Sequence, residues 1–134
     1  MTPNRKPRVV VIGGGFAGIQ FVRQLDKRNF DVLLIDKVNH HQFQPLFYQV
    51  ATSQIEPASI SFPLRNIFHG NMSVQIRLTV VDRIDTEQKK VHTGIGSFAY
   101  DYLVIAVGCK TNFFGNDKIA QHAFTLKSSV DAIQ

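Results

Sequence analysis

The sequence has little cysteine, no tryptophan and no long hydrophobic run. It contains one cysteine in 134 residues, Cys109, so no disulfide can form within the chain, which fits a reducing compartment. No stretch approaches the roughly 20 apolar residues that a membrane span needs. The apolar run Val9–Ile12 is too short for a signal peptide. We therefore expect a cytosolic protein, a protein peripheral to a membrane, or one whose span lies outside this segment.

Neither charge nor metal-ligand spacing singles out a site. The formal net charge is +5, but the basic residues are scattered apart from Arg5, Lys6 and Arg8, and no basic stripe alternates with aromatic residues. We therefore expect no nucleic-acid partner; a weak attraction to an anionic membrane stays open beside an ordinary solvated surface. His40 and His41 have no cysteine or acidic partner at ligand spacing, so no metal site is predicted. No catalytic acid–base pair is predicted either.

What the sequence does contain is a glycine cluster between two apolar runs. Val9–Ile12 is β-branched and typical of a buried parallel strand, and Phe16 to Arg28 has the apolar spacing of a helix that packs on a sheet. A second run, Val32–Ile35, ends at Asp36. Strand, glycine turn, helix, strand and terminal carboxylate together predict a dinucleotide-binding unit, whose motif glycines are Gly13, Gly15 and Gly18.

Each residue of this motif has a physical reason. Gly13 permits a sharp turn, Gly15 lets the backbone approach a pyrophosphate, and Gly18 lets the helix lie close to the sheet. The helix N-terminus attracts the ligand's negative charge, and Asp36 would accept hydrogen bonds from the adenosine ribose. The motif does not separate NAD from FAD, although its place near the N-terminus favours FAD. The simpler alternative is a glycine turn that serves packing alone.

The segment after Asp36 has no clean period. Residues 37–62 mix histidine, glutamine, aromatic residues and proline, and an aperiodic segment of that length in a compact domain is usually functional. We expect short helices around Glu56–Ile60 and from Pro63 to His69.

The remaining sequence predicts strands and an unfinished helix. Val74–Asp85 is expected to be extended and to begin a β-meander. Tyr102–Val107 is fully apolar and predicts another central parallel strand. The predicted fold class is therefore α/β, in which flanking helices cover a parallel sheet of Val9–Ile12, Val32–Ile35 and Tyr102–Val107. The inserted antiparallel meander continues through Lys89–Thr93 and Ser97–Tyr100. A loop over Asn112–Asp117 and a helix that begins in Ser128–Gln134 follow. Because the chain stops inside that helix, we expect an N-terminal fragment of a longer protein.

Three stretches resemble a known family. Val10–Gly18 and Asn39–Thr52 closely resemble the type II NADH dehydrogenases, which are single-subunit NADH:quinone oxidoreductases. Tyr100–Gly108 resembles the second flavin motif of the wider two-dinucleotide-binding-domain flavoproteins, with Val107 where threonine is usual. Phe124–Lys127 resembles the linker that leads to the family's NADH-binding domain.

The resemblance implies a fold, a cofactor and a reaction. Residues 1–118 would be the N-terminal half of a discontinuous Rossmann-like FAD-binding domain, and residues 119–134 the start of a linker to an NADH-binding domain. The family passes a hydride from NADH to FAD and then two electrons to a membrane quinone, and the flavin supplies that chemistry. The parent protein would be cytoplasmic and peripheral to the inner face of the cell membrane, held there by C-terminal segments beyond this sequence.

The resemblance also implies the cofactor contacts. The pyrophosphate would contact the glycine loop, the ribose Asp36 and Lys37, and the adenine Val81. The isoalloxazine would lie near Ala51 and Thr52, and the ribityl-phosphate region along Ala106–Gly108. The full set is Gly13, Gly14, Gly15, Phe16, Ala17, Gly18, Asp36, Lys37, Ala51, Thr52, Val81, Ala106, Val107 and Gly108.

Several alternatives stay open. Cys109 would be a redox thiol in an enzyme like the sulfide:quinone oxidoreductases, but we expect a buried or half-buried structural cysteine. Phe43, Phe47 and Tyr48 suit either the core or a flavin contact, and Asp101 is expected to bind backbone at a strand entrance.

The chain as a whole could also be a free-standing dinucleotide-binding module or part of another flavoprotein similar to the disulfide reductases. Alone, we expect it to be inactive, to bind FAD poorly and to self-associate, because truncation exposes apolar surface.

Overall fold

The computed structural model describes residues 5–133, which divide into two compact units. The first runs from the start of the described chain to His40 and includes Pro63–Val107. The second contains His41–Phe62 and the chain from Gly108 onward.

A four-stranded parallel sheet forms the centre of the first unit. Its strands are β1 (Arg8–Ile12), β2 (Asp31–Asp36), β5 (Val74–Leu78) and β9 (Tyr102–Ile105), in the order β5-β2-β1-β9. Val10 on β1 lies opposite Leu33 on one side and Leu103 on the other. The strands form where apolar β-branched runs can be buried on both faces. The predicted α/β class with a parallel sheet is confirmed.

The two faces of the sheet are covered differently. One face packs under α1 (Phe16–Gln24) and α3 (Leu64–Ile67), with Val11, Val22 and Leu34 fully buried there. The opposite face packs against Val91 of the antiparallel strands. These strands are β6 (Val81–Asp85), β7 (Lys90–Thr93) and β8 (Gly96–Ala99), which form a three-stranded meander. Helices therefore cover one face of the sheet and the meander covers the other.

The first helix is shorter than predicted. It ends at Gln24 rather than Arg28, because Leu25 is already extended and Asp26 forms a turn by accepting the Arg28 N–H at 3.0 Å. The Lys27 ammonium donates to the carbonyl of Arg23 at 2.9 Å and so satisfies a free acceptor at the helix end. A side-chain turn and a lysine cap thus end the helix one turn early.

The extended stretch Val74–Asp85 is two strands and not one. β5 joins the parallel sheet beside β2, whereas β6 begins the meander. Between them the Thr79 N–H donates to the Asp36 carbonyl at 2.9 Å. The predicted extended conformation is present, but the chain changes sheets within it.

The strand predicted as central lies at the edge of the described sheet. β9 pairs with β1 alone and ends at Ile105, two residues before the predicted end. An all-apolar run does not distinguish a central strand from an edge strand, because that difference depends on chain segments far away in sequence.

The second unit is built from short elements. Its strands β3 (His40–Gln42) and β4 (Ser61–Pro63) pair, each reaching one residue into the first unit. Its helices are α2 (Phe47–Ala51), α4 (Asp117–His122), α5 (Ser129–Ile133) and 3₁₀ turns over Gln44–Leu46 and Pro57–Ile60. The 3₁₀ turn over Pro57–Ile60 agrees with the helix expected around Glu56–Ile60. The sequence did not predict α2 or α4.

A small core and a capping box stabilise this unit. Phe47, Val50, Ile60 and Ala132 are buried together. The Asp131 N–H donates to Ser128 Oγ at 3.2 Å and the Ser128 N–H donates back to Asp131 Oδ2 at 3.1 Å. This reciprocal pair begins the helix expected from Ser128, whose last predicted residue, Gln134, lies outside the described residues. No helix within residues 5–133 is long and apolar enough to cross a membrane.

Candidate functional site

The turn between β1 and α1 has no room for a side chain at its first residue. Gly13 has a φ of +107°, a left-handed conformation that disfavours other residues. Its N–H donates to the Ile35 carbonyl at 2.8 Å, and a Cβ added to it would overlap the Ala106 carbonyl oxygen. Position 13 therefore requires glycine both for its backbone conformation and for the close approach of Ala106.

Gly18 and Gly15 differ in their surroundings. A Cβ at Gly18 would overlap the Gly13 carbonyl oxygen, so the first helical turn lies directly against the loop. A Cβ at Gly15 would meet no atom within 4 Å. The loop is therefore closed on the protein side and open on the side of Gly15.

The N-terminus of α1 supplies the electrostatics of this open side. The first bond inside the helix runs from the Ile19 N–H to the Gly15 carbonyl at 3.0 Å. No acidic residue lies in the first turn, and no side chain caps it. Because the first N–H groups of a helix have no acceptor within it and the helix dipole is positive there, the site favours an anion. The pyrophosphate of FAD or NAD fits this space and this charge.

Asp36 contacts the loop directly. Its Oδ2 accepts a short hydrogen bond from the Gly14 N–H, and its Oδ1 accepts from the Val38 N–H at 2.9 Å. A carboxylate has about four lone-pair positions. Each oxygen therefore keeps the capacity to accept from a ribose hydroxyl while it holds the backbone.

Three strands bring these groups to one edge of the sheet. β1, β2 and β9 are parallel, so their carboxyl ends meet, and ligands of open α/β sheets bind at such an edge. The Ala106 N–H donates to the Ile12 carbonyl at 2.8 Å. The structure thus brings the glycine loop, Asp36 and Ala106 together. Val107, next along the chain, is 65% exposed.

The other residues implied by the resemblance lie in varied settings. Phe16 and Ala17 are the first residues of α1, and Lys37 is exposed just after Asp36. Val81 is half-buried and packs against the core on the meander side of the sheet. Ala51, Thr52 and Gly108 belong to the second unit. There Ala51 ends α2, the Thr52 hydroxyl donates to the Tyr48 carbonyl at 2.8 Å, and Gly108 has a φ of +71°.

Two residues of the loop's surroundings were missed by sequence reasoning. Leu64 is fully buried, and a Cβ at Gly14 would lie 2.8 Å from its Cδ1. Asn39 accepts the Leu64 N–H through its carbonyl at 3.0 Å, which connects the start of α3 to the chain after β2. A leucine after proline carries no signal of such a role in the sequence.

The expectations for the remaining candidates are partly wrong. Cys109 is exposed rather than buried or half-buried, and Lys127 Nζ lies 3.8 Å from its Sγ. Phe47 is a core residue, whereas Tyr48 is 57% exposed. Asp101 does bind backbone at a strand entrance, but the bond is to the Arg8 N–H of the neighbouring strand, at 2.6 Å. Among residues 5–133, no group of three or more metal-ligating side chains occurs.

The carboxyl groups with lowered pKa values lie away from the glycine loop. The Arg28 guanidinium lowers the pKa of Asp26, and the Gln88 N–H lowers that of Asp85. The Thr125 hydroxyl, followed by neighbouring backbone N–H groups, lowers the pKa of Asp131. These shifts arise from local turns and caps, so they describe local structure and not reaction chemistry.

A family comparison matches almost the whole chain. Residues 7–134 match the model of the pyridine nucleotide-disulphide oxidoreductase family. The chain belongs to this family. Membership confirms the resemblance drawn from the sequence and the expectation of an FAD-dependent oxidoreductase fold.

Relatives of known name point the same way. The chain is 38% identical over 136 residues to the type II NADH:quinone oxidoreductase Ndh of Mycobacterium tuberculosis, covering 98% of this chain and 29% of that protein. It is 32% identical to the external alternative NAD(P)H-ubiquinone oxidoreductase B4 of Arabidopsis thaliana mitochondria, covering 98% and 24%. The chain therefore spans less than a third of the length of these curated relatives.

Solved structures share the fold. NDH2 of Plasmodium falciparum in complex with NADH superposes with a TM-score of 0.86 and 26% identity, covering 96% of this chain and 28% of that one. The sulfide:quinone oxidoreductase of Aquifex aeolicus superposes with a TM-score of 0.82 and 27% identity, covering 95% and 30%. Both similarities extend over nearly the whole of this chain.

Proposed function

We propose that this chain is the FAD-binding portion of an NADH:quinone oxidoreductase. In such an enzyme the flavin accepts a hydride from NADH and passes two electrons to a membrane quinone. The observation that carries the proposal is the open space at Gly15, at an uncapped helix N-terminus that has no acidic residue in its first turn. That combination suits a bound pyrophosphate.

The chain's own residues would bind and orient the cofactor. The loop from Gly13 to Gly18 binds the pyrophosphate, and Asp36 accepts from the adenosine ribose while it holds Gly14. Lys37 adds a positive charge beside the ribose. The adenine contact at Val81, the isoalloxazine contacts at Ala51 and Thr52, and the ribityl-phosphate contacts along Ala106–Gly108 are proposals that rest on the family resemblance.

The substrates are proposed from the named relatives. The Mycobacterium and Arabidopsis proteins are named for NADH or NAD(P)H and for quinone or ubiquinone, and one solved relative holds NADH. We propose that the protein containing this chain uses NADH and a quinone. We also propose that it lies on the inner face of the cell membrane, held by segments outside this sequence.

A second candidate follows from the similarity to the sulfide:quinone oxidoreductase. In its favour, Cys109 is exposed and has the Lys127 ammonium near its sulfur. Against it, the type II NADH:quinone oxidoreductase of Mycobacterium tuberculosis is more similar to this chain, at 38% identity compared with 27% for the sulfide:quinone oxidoreductase. NADH is therefore the favoured electron donor.

The deciding experiment uses the full-length protein that contains this chain. We expect the purified protein to show flavin absorbance and to oxidise NADH in the presence of a water-soluble quinone. Sulfide should not replace NADH. A colourless protein, or one that reduces quinone with sulfide alone, would contradict the proposal.

The isolated chain provides a separate test. Since the family closes the isoalloxazine end with segments beyond residue 134, the 134-residue chain should purify with little FAD and should form dimers or larger species. Absorbance in the flavin bands and size-exclusion chromatography measure both. A yellow monomer with one FAD per chain would show this prediction to be wrong.

A further inference from the structure

Gly14 is crowded although the dinucleotide motif leaves its position unspecified. A Cβ added there would lie 2.8 Å from Leu64 Cδ1, 3.0 Å from Leu64 Cδ2 and 3.1 Å from Asp36 Oδ2. The first distance is shorter than real Cβ contacts, and the other two are tighter than most of them. The size of residue 14 is therefore limited by the Leu64 side chain.

Leu64 has little freedom to move aside. Its side chain is fully buried and packs in the apolar cluster under the helical face of the sheet. It is the first residue of α3, and its N–H donates to the Asn39 carbonyl at 3.0 Å. A side chain held by both packing and backbone would resist a shift, because close-packed cores transmit strain rather than absorb it.

Asp36 also contacts Gly14. Its Oδ2 accepts from the Gly14 N–H, and its Oδ1 accepts from the Val38 N–H at 2.9 Å. Val38 is followed by Asn39, which holds Leu64. The loop is thus held at Gly14 by the end of β2 and by the start of α3.

We infer that Leu64 is a positioning residue for dinucleotide binding. It acts through Gly14: its side chain presses against the loop and sets the direction in which the N–H groups at the start of α1 point. This inference rests on the proposed nucleotide-binding function of the loop. It assigns a role to a residue outside the glycine motif and gives position 14 a size limit of its own.

The test is a rescue experiment in the full-length protein after removal of bound flavin. ADP, which carries the adenosine ribose and the pyrophosphate, is the probe, and calorimetric titration measures its affinity. Gly14→Ala should weaken ADP binding about tenfold, within the range of coupling seen between contacting residues. Adding Leu64→Ala removes both Cδ atoms and should restore most of that loss.

Leu34→Ala is the matched control. Leu34 is equally buried in the same apolar cluster, but none of its atoms is among the three that would lie nearest to a Cβ at Gly14. Added to Gly14→Ala, it should destabilise the protein and restore no affinity. Circular dichroism checks folding, and if a leucine-to-alanine variant fails to fold, Leu64→Val and Leu34→Val repeat the comparison with smaller cavities.

The outcomes separate the two proposals. Rescue by Leu64→Ala and not by Leu34→Ala supports the inference. Equal rescue by both, or an unchanged ADP affinity in Gly14→Ala, overturns the inference while the proposed function stands. An unmodified protein that binds neither ADP nor FAD overturns both.

Discussion

The glycines of one loop differ in how closely the protein packs around them. At Gly13 and Gly18, an added Cβ would overlap backbone oxygen atoms of the protein itself, whereas at Gly15 it would meet open space. The first two glycines are therefore required by the fold, and the third is free of any packing reason. One motif thus combines a structural requirement with the ligand requirement that we propose, and substitution at each position separates the two.

The largest expected effect is at Gly18. Gly18→Ala would place a Cβ onto the Gly13 carbonyl oxygen, so the helix must move away from the loop. We expect the unfolding free energy to fall by about 3 kcal/mol or more, at the upper end of overpacking effects. Urea unfolding followed by circular dichroism measures it.

Gly94→Ala is the control for that substitution. Gly94 lies in the β7–β8 turn with no atom within 4 Å of an added Cβ and no positive φ. Its change in stability should be small. Similar losses at positions 18 and 94 would contradict the contact that the structure places at Gly18.

Asp36→Asn should loosen the crowded side of the loop. The amide can still accept through one oxygen, but its NH₂ group would face an N–H donor in place of an acceptor. Losing a hydrogen bond to a charged group costs about 1.5–3 kcal/mol. Chemical denaturation measures the loss, and Asp31→Asn, at the opposite end of the same strand, serves as the control. An unchanged stability in Asp36→Asn would argue against the bond to Gly14.

Gly15→Ala should affect ligand binding more than stability. The residue has an extended conformation that alanine tolerates, and its Cβ would meet no protein atom. Stability should change by at most about 1 kcal/mol, the usual scale for a helix N-cap. ADP affinity should fall about tenfold, or about 1.4 kcal/mol, because the methyl group fills the space of the pyrophosphate. Equal affinities for the two proteins would remove the main support for the proposed site.

The smallest effect is expected at Asp131, in the second unit. The Thr125 hydroxyl and the N–H groups of Lys127 and Ser128 lower the pKa of this carboxyl. Because the folded pKa lies below the unfolded one, its contribution is present above the unfolded value and is lost as the pH falls through the folded value. The helix α5 should therefore weaken only in acid, below about pH 4.

NMR titration of the Asp131 carboxyl, together with helical circular dichroism, follows this change. Asp131→Asn should remove the acid dependence, and Asp117→Asn in α4 should leave it in place. An Asp131 carboxyl that titrates at its ordinary value would contradict the capping box.

The sequence predicted best where local pattern and burial agree. The runs Val9–Ile12 and Val32–Ile35 are apolar on both faces, and both are strands of the parallel sheet. The glycine turn and the start of α1 follow from residues within one short segment. These features depend on neighbours in sequence, so one segment contains the whole signal.

The failures have the opposite cause. Val74–Asp85 changes sheets at Thr79, although the apolar alternation of Val74, Ile76 and Leu78 continues past that point to Val80. The contact of Leu64 with Gly14 joins segments 50 residues apart. Neither a leucine nor a glycine predicts such a contact from the sequence. The exposure of Cys109 likewise depends on the path of the chain beyond β9 and not on the strand that precedes it.

The position of β9 has a consequence for synthesis of the protein on the ribosome. β1 gains its first neighbour from the next long strand along the chain, but Arg8 and Asp101, which join β1 to β9, are 93 residues apart. Until that distant strand has emerged, one side of β1 carries unpaired amides and carbonyls. Pairings of such long range form slowly and leave partly folded chains prone to aggregation. This exposure therefore ends only when β9 has left the ribosome and paired with β1.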